Sequence, residues 1–526
     1  MLMRKWSCTF RVRASVAAVL LASYSPRLLG QCPNGSPPPC GAVTPRPTTT
    51  AYSVAVLSFQ TRSLDTANVF LAEGLADDIA SRLGQLDRLT VRSREAVRRL
   101  RNADSMSIRQ LGQTLNAAYV LSGTMRPSSG RLHFVFELTR TQTGGVSWSG
   151  VFDRERDQLL ELQAAVAEAA ARAILRDLSQ RERSALGVSS AHSERAFVHI
   201  ARGTAFLARR GQLLWPAVQE FRTAVSSDQL SAVAWSRLGV AYAMCVFWGG
   251  CPAPGDSLRA GARAAADRAL VLDSTLADAW LADGLSRSVS PVTRPDFPRG
   301  IASLRRARAL EPRNVEVVHL TGTLLLFSGL DDEEAIRSAR AALALDPGRG
   351  ISYLVLSRIA FAQGRYRDAV ALLDTAEALE PGWERGSDRW DAVLALGDTT
   401  QIPRACAGLA SATQANRPDP TERRVVSAQC RWIGTGFLAL TAGDSSRANA
   451  AADSLAASGD PDLWSAALLL RLGRRAEAGA IVRAIGTPQL GHLRRVRSPA
   501  FAQLEELKEF RDFQDAARRL VTTSSK

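Results

Sequence analysis

The sequence predicts a chain of mixed α+β class: an amino-terminal α/β domain with a mixed sheet, followed by an all-α superhelical solenoid. Two observations lead to this prediction. Strand-like and helix-like segments alternate from the apolar run 53-SVAVLSF-59 to about residue 180, which is typical of a sheet covered by helices. Beyond residue 190, pairs of small residues recur inside helix-like segments at intervals of 45, 38, 35 and 34 residues, which converge on the period of a repeat array.

The first fifty residues are expected to lie outside this folded core. Residues 1–30 combine a basic start, the apolar run 14–22 and no acidic residue, which is the pattern of a secretory signal peptide. We therefore expect export to the periplasm or outer cell envelope; the alternative is an inner-membrane signal anchor. The run is too short to span a bilayer unless it is extended, so no membrane span is expected in the mature chain. Residues 31–50 are rich in Pro and Thr and are typical of a linker.

The α/β domain is expected to occupy residues 51–180. Its last three strands are separated by short turns that contain glycine or serine, so they should form an antiparallel meander. A long alanine-rich helix closes the domain. In chain order, the pattern predicts a strand at 53–59, a helix at 68–86, a strand at 89–92, helices at 93–102 and 107–115, strands at 118–125, 132–139 and 146–152, and a helix at 157–178.

Four segments of this domain carry a family resemblance. The strand SVAVLSF, the helix AEGLADDIASRL, the segment LGQTLNAAYVLSGTMR and the closing GGVSWSGVFDRERDQLLELQAAVAEAAARAI resemble the TolB amino-terminal-like domain that precedes tetratricopeptide repeats in many bacterial envelope and regulatory proteins. Ser58 stands where that family usually has proline. The resemblance implies a non-catalytic module that faces the periplasm or the exterior.

Three carboxylates on the first helix raise the question of catalysis. Glu73 and Asp77 are four residues apart on one face of the helix, and Asp78 adjoins them. A pair of carboxylates that works by acid–base chemistry needs a facing wall with further partners, and no His, Cys or Lys lies nearby in sequence. We interpret this face as solvated or partner-facing, so an enzyme is not predicted.

Paired small residues define the repeats, which are expected at residues 191–395. A spacing of seven residues is two helical turns, so both members share one face and allow a second helix to approach closely. Three units end in an acid–proline pair, which stops a helix. The period and these features resemble the tetratricopeptide repeat (TPR), although its first-helix signature is kept only partly, as at 235–242. The pairs are Ala217 and Ala224, Ala262 and Ala269, Gly300 and Ala307, Ala335 and Ala342, and Ala369 and Ala376.

Beyond residue 396 the period becomes irregular. Residues 396–526 are expected to form degenerate TPR-like helices that end in a carboxyl-terminal cap, because the tail 497–520 is amphipathic and has a charged periphery.

Cysteine and histidine positions favour disulfides over a metal site. Apart from Cys8, the cysteines fall into neighbouring pairs, and the five histidines are scattered. An even number in an oxidising compartment predicts three local disulfides, with buried free thiols as the alternative. No metal ion or cofactor is expected. The pairs are Cys32 and Cys40, Cys245 and Cys251, and Cys406 and Cys430.

The function predicted from the sequence is a non-enzymatic TPR scaffold in the bacterial cell envelope that binds a protein or peptide. If the repeat register holds, Leu324, Phe327, Arg358 and Phe361 face the concave groove, and Arg358 is the candidate contact for a carboxylate. The alternative is a sensory subunit whose α/β domain binds a small ligand and signals through the repeats.

The net charge of +15 does not predict nucleic-acid binding, because the arginines are dispersed among acidic residues. The oligomeric state is left open.

Overall fold

The computed structural model describes residues 51–61, 65–100, 103–128, 131–155, 158–187, 193–209, 213–248, 251–288, 296–380, 386–408, 420–458, 461–488 and 490–522. The expectations for residues 1–50, which include the signal sequence, the linker and a Cys32–Cys40 disulfide, lie outside these residues.

The amino-terminal domain is built on a mixed sheet in the order β3-β1-β4-β5-β6, with β2 paired to β4. Strand β1 is parallel to both β3 and β4, whereas β4, β5 and β6 form the predicted antiparallel meander. The short strand at 53–56 is buried on both faces, which explains its largely apolar sequence. The strands are β1 (Ser53–Val56), β2 (Gln60–Thr61), β3 (Thr90–Val91), β4 (Tyr119–Ser128), β5 (Arg131–Arg140) and β6 (Val146–Glu155).

Helices cover this sheet on both faces. The long helices α1 and α4 bury their apolar sides in the main core, and α2 and α3 cover a smaller core around Ala55 and Val120. Helix α3 begins with a capping box in which Ser107 and Gln110 bond reciprocally. The helices of this part are α1 (Thr66–Gly84), α2 (Arg94–Arg98), α3 (Ile108–Leu115), α4 (Leu159–Leu175) and α5 (Gln180–Gly187).

The repeats are pairs of packed helices, as the small-residue pattern predicts. The five predicted pairs of small residues are buried, with each alanine at 0% exposure. Their lack of bulk lets the helices meet closely. At Gly300, for example, the facing helix comes so near that a Cβ added at its Gly284 would lie 2.9 Å from the Gly300 carbonyl oxygen. The helices are α6 (Glu194–Arg209), α7 (Leu214–Ser227), α8 (Ala232–Trp248), α9 (Gly255–Leu272), α10 (Ala277–Ser288), α11 (Phe297–Leu310), α12 (Val315–Ser328), α13 (Asp332–Leu345), α14 (Gly350–Ala362), α15 (Tyr366–Leu379) and α16 (Gly386–Leu396).

The carboxyl-terminal helices continue the array and then turn back. Helix α22 packs on α20, whereas α21 reaches across to contact α12 and α14 of the regular repeats. None of the helices in the described ranges is both long and apolar enough to cross a bilayer. The helices are α17 (Pro420–Thr441), α18 (Ser445–Ser458), α19 (Leu463–Arg471), α20 (Arg475–Ile485), α21 (Leu490–Arg497) and α22 (Lys508–Thr522), with a 3-10 segment at Pro499–Glu506.

Candidate functional site

The carboxylates of α1 do not form an open acidic face. Arg98 donates to Glu73 at 2.9 Å and also pairs with Asp77, to which Arg94 donates at 2.5 Å. Both carboxylate side chains are only 10–11% exposed. The expectation of a solvated or partner-facing face is therefore corrected, because the arginines of α2 cover the face and neutralise it.

Asp78, the third carboxylate, faces the repeats. Burial raises its pKa to about 7, and the positive charges of Arg82 and Arg237 oppose that rise. Arg237 belongs to helix α8 and also pairs with Asp278 at 2.8 Å. Asp78 therefore contributes to the junction between the two folded parts, where its charged form is disfavoured.

Further contacts join the α/β domain to the turns between repeats. The buried carboxylate of Asp346 accepts a hydrogen bond from Ser93 Oγ at 2.8 Å and pairs with Arg99. Arg313 donates to the backbone oxygen of Leu89 at 3.0 Å. The α/β domain is thus fixed to the solenoid by charged and polar contacts at several successive turns.

An apolar cleft lies along the first helices of the repeats. Its walls come from α8, α10, α12 and α14, with Phe297 contributed by α11, and its volume is about 40 Å³. His319 is buried in the wall, with its Nδ1 3.1 Å from Ser352 Oγ. A cavity of this size accommodates a side chain rather than a whole cofactor, because cofactor sites usually hold at least ~300 Å³. Three of the four predicted groove residues line this cleft, namely Leu324, Phe327 and Arg358.

Aromatic rings and one arginine form the mouth of the cleft. Phe247 packs edge-on against Phe327 with ring centroids 5.3 Å apart, and Phe247 remains 39% exposed. The guanidinium of Arg358 lies 5.5 Å from the centre of the Phe327 ring. Two nitrogens of Arg358 donate to Asp388, both at 3.0 Å. The charge of Arg358 is therefore already balanced within the chain.

Phe361, the fourth predicted groove residue, lies under α21 instead of in the cleft. Its ring is 1% exposed, packs 5.7 Å from the Tyr366 ring, and has the Arg494 guanidinium 5.8 Å from its centre. The Phe361 carbonyl oxygen accepts a hydrogen bond from Ser498 Oγ at 3.0 Å.

A buried ion-pair network holds α21 in this place. Arg494 pairs with Asp388 and, at 2.7 Å, with Asp391. Arg495 binds Asp391 at 2.7 Å and Asp462 at 2.8 Å. Trp464 Nε1 donates to Asp391 at 2.9 Å. With Arg358, three arginines therefore face three carboxylates. Apart from Arg358, these residues were not predicted from the sequence, although the doublet Arg494–Arg495 and the spacing of Asp388 and Asp391 on one helix were visible signals.

Two of the predicted cysteine pairs are bonded in the structure. Cys245 and Cys251 have Cα atoms 5.6 Å apart, and Cys406 and Cys430 have Cα atoms 5.7 Å apart, within the usual range for disulfides. Within the ranges that the structure describes, no group of three His, Cys, Asp or Glu side chains is placed to hold a metal ion.

Comparison with known proteins supports the repeat assignment and changes that of the first domain. Residues 331–396 match a family model described as a tetratricopeptide repeat, so this part of the chain is a TPR region. Residues 50–169 match the model "HilA/YgeH-like transcriptional regulator, second domain". The TolB amino-terminal-like assignment is not supported by this match, which assigns a HilA-like domain to these residues.

One curated relative and several solved structures are similar to parts of the chain. "Putative adenylate cyclase 3" of Rhizobium meliloti (strain 1021) is 29% identical over 127 residues, which is 24% of this chain and only 22% of that protein. The APC/C hetero-tetramer Cut9-Hcn1 is 10% identical over 68% of this chain and 63% of its own, with a TM-score of 0.41. YrrB, described as a TPR protein with an unusual peptide-binding site, is 16% identical over 41% of this chain and 98% of its own, with a TM-score of 0.26.

Proposed function

We propose that this chain is a non-enzymatic TPR scaffold that binds a segment of another protein in the cleft between α8 and α14. The observation that carries the proposal is the apolar cleft itself, with the aromatic pair Phe247 and Phe327 at its mouth. A partly exposed aromatic side chain beside an apolar pocket is typical of the centre of a protein interface.

Electrostatics favour an apolar anchor over an anionic one. Arg358, the predicted carboxylate contact, is held by Asp388 and stacked near Phe327, so a partner carboxylate would have to compete with an existing bidentate pair. An aliphatic or aromatic side chain meets no such competition, because most residues that line the cleft are apolar.

The proposed scaffold works after export, in the periplasm or outer cell envelope. The signal-like pattern of residues 1–30 supports this location. Fractionation of cells that carry a carboxyl-terminally tagged chain should place it in the envelope, with a mature amino terminus near Gln31. Recovery of the full-length chain from the cytoplasm would contradict export.

A regulatory subunit is the second candidate. The match of residues 50–169 to a domain of transcriptional regulators, and the similarity to a putative adenylate cyclase, favour a domain that occurs in regulatory proteins. In this version the α/β domain binds a small ligand and transmits its state to the repeats through contacts such as Arg99–Asp346.

A pull-down with two matched variants tests the scaffold. Phe247→Ala removes the exposed ring at the mouth of the cleft, and Leu230→Ala removes an apolar side chain that is 62% exposed and does not line the cleft. We expect the parent and Leu230→Ala to retain the same protein from an envelope extract, and Phe247→Ala to lose it. Retention by all three chains would exclude the cleft, and ligand screening by thermal shift would then test the regulatory candidate.

A further inference from the structure

The carboxyl-terminal half of the concave groove is filled by the chain's own helix α21. This helix contacts α12 and α14, and it buries Leu493 and Val496 to 5% and 4% exposure. Its last residue, Arg497, pairs with Asp332 at the start of α13. Helix α21 therefore occupies the position that a bound helical segment of a partner would take.

The contact between α21 and the repeats combines these two buried apolar side chains with three arginine ion pairs. Arg494, Arg495 and Arg497 meet Asp388, Asp391 and Asp332 respectively. Buried ion pairs fix the register of a contact, but they add modest net stability, because both charges lose hydration when they are buried. The contact is therefore specific in geometry, and its charges regain water, or other partners, when α21 leaves.

Helix α21 is a short element that also packs on α22, where Gln514 Nε2 donates to the Val496 carbonyl oxygen at 2.9 Å. Gly486 ends α20 with a positive φ of 72°, and Pro499 follows α21 directly after Ser498. Helix α21 itself has eight residues. Detachment of α21 from the groove therefore leaves α20 helical but breaks the contact with α22.

The apolar cleft and the α21 site are continuous. Arg358 lines the cleft and shares the carboxylate of Asp388 with Arg494. An occupant that replaced α21 could therefore continue into the cleft without crossing a gap.

We propose that α21 is an internal ligand of the groove, and that the protein partner presents a basic helical segment which replaces it. The partner carries adjacent arginines for Asp388 and Asp391, and an apolar side chain for the cleft at Phe247 and Phe327. This inference rests on the proposed scaffold function and specifies its partner. The free chain is autoinhibited, because a tethered ligand competes at an effective concentration on the order of millimolar.

Binding of a synthetic peptide to the full chain tests the internal ligand. The probe is a fluorescent peptide LGHLRRVR, which copies residues 490–497, and its control has both adjacent arginines replaced by glutamine. We expect the probe to bind the Arg494→Gln/Arg495→Gln chain at least about tenfold more tightly than the parent chain, where the tethered copy competes. The control peptide should bind neither chain. Arg475→Gln, at an exposed pair with Glu506, should behave as the parent.

Equal binding of the probe to parent and variant, or no binding to a folded variant, would overturn the proposal. If the double variant fails to fold, native-state hydrogen exchange of the parent chain decides. Amides of α21 should exchange at least about tenfold faster than those of α14, through local opening. Exchange of both helices at one common rate would mean that α21 never detaches, which would overturn the inference.

The two proposals fail separately. Loss of the captured protein in Phe247→Ala together with a failed peptide experiment leaves the scaffold standing without the internal ligand. If the peptide binds but Phe247→Ala still captures the protein, the internal ligand stands, whereas the cleft and the apolar side chain assigned to it are excluded.

Discussion

Asp78 is one residue through which folding should respond to pH. Burial raises its pKa from 3.8 to about 7 in the folded chain. Between these two values the folded state binds more protons than the unfolded state, so the free energy of unfolding falls as pH rises through that window. Through this one residue, the free energy of unfolding falls by at most about 4 kcal/mol across that window.

Replacement of Asp78 by Asn removes this titration. We expect Asp78→Asn and the parent to be similarly stable near pH 4, and the variant to become progressively more stable than the parent as pH rises to 8. Urea denaturation at several pH values measures the difference. Asp87→Asn, in an exposed turn after the same helix, should follow the parent at every pH. A constant difference between Asp78→Asn and the parent would contradict the assigned pKa.

Side-chain partners that are distant in sequence could not be read from the pattern. Helical periodicity correctly placed Glu73 and Asp77 together on α1, but it could not show that Arg94 and Arg98 would fold over them. The same limit applies to Arg358, whose partner Asp388 lies 30 residues away. Residue type and spacing predict which face a side chain occupies, whereas its ion-pair partner depends on tertiary packing.

Helix α1 meets α6 at Gly74, where there is no room for a side chain. A Cβ added to Gly74 would lie 2.1 Å from the Cβ of Ala201 and 2.7 Å from its Cα. The same addition at Gly84 of α1 meets no atom within 4 Å. Substitution of Gly84 therefore tests helix propensity alone, whereas substitution of Gly74 tests helix propensity together with packing.

We expect Gly74→Ala to destabilise the chain and Gly84→Ala to leave it unchanged or slightly more stable. Alanine favours a helix over glycine by up to about 1 kcal/mol at an interior position. At position 74 this gain is outweighed by overpacking, which typically costs about 1–3 kcal/mol and here requires movement of backbone. Chemical denaturation of both variants measures the two effects. A stabilised Gly74→Ala would show that α1 and α6 are not packed as described.

At the scale of elements, local patterns predicted most of the architecture. The meander of β4, β5 and β6 and the paired helices followed from turn residues and from small residues seven apart, because both signals are short-range. The register also placed Leu324, Phe327 and Arg358 on one wall. Phe361 lies on the same helix as Arg358, but the return of α21 over α14 is a long-range event that no periodicity records.

The whole molecule couples the α/β domain to the repeats through a mixed interface. Phe70 of α1 packs against Phe206 of α6 with ring centroids 4.8 Å apart, beside the close contact at Gly74. At a second contact, the carboxylate of Asp346 is 1% exposed, accepts a hydrogen bond from Ser93 Oγ and pairs with Arg99. An interface with both apolar and buried ionic contacts should make the two parts unfold together.

Removal of Arg99 tests this coupling. Arg99→Ala leaves the buried Asp346 carboxylate without its charged partner, a change that typically costs about 3–5 kcal/mol at a fully buried pair. Hydrogen exchange should then show the same loss of protection in β4 of the α/β domain and in α13 of the repeats. In a double-mutant cycle with Asp346→Ala, the two losses should fall short of additivity by about 1 kcal/mol or more. Arg183→Ala, at an exposed position on α5, serves as the control.

A loss confined to one of the two parts would mean that they fold independently. That result would also weaken the regulatory candidate, since a ligand on the α/β domain can influence the repeats only if it changes a state that both parts share. A joint loss would leave both proposed functions open, and would identify Arg99–Asp346 as the contact through which binding at one part can alter binding at the other.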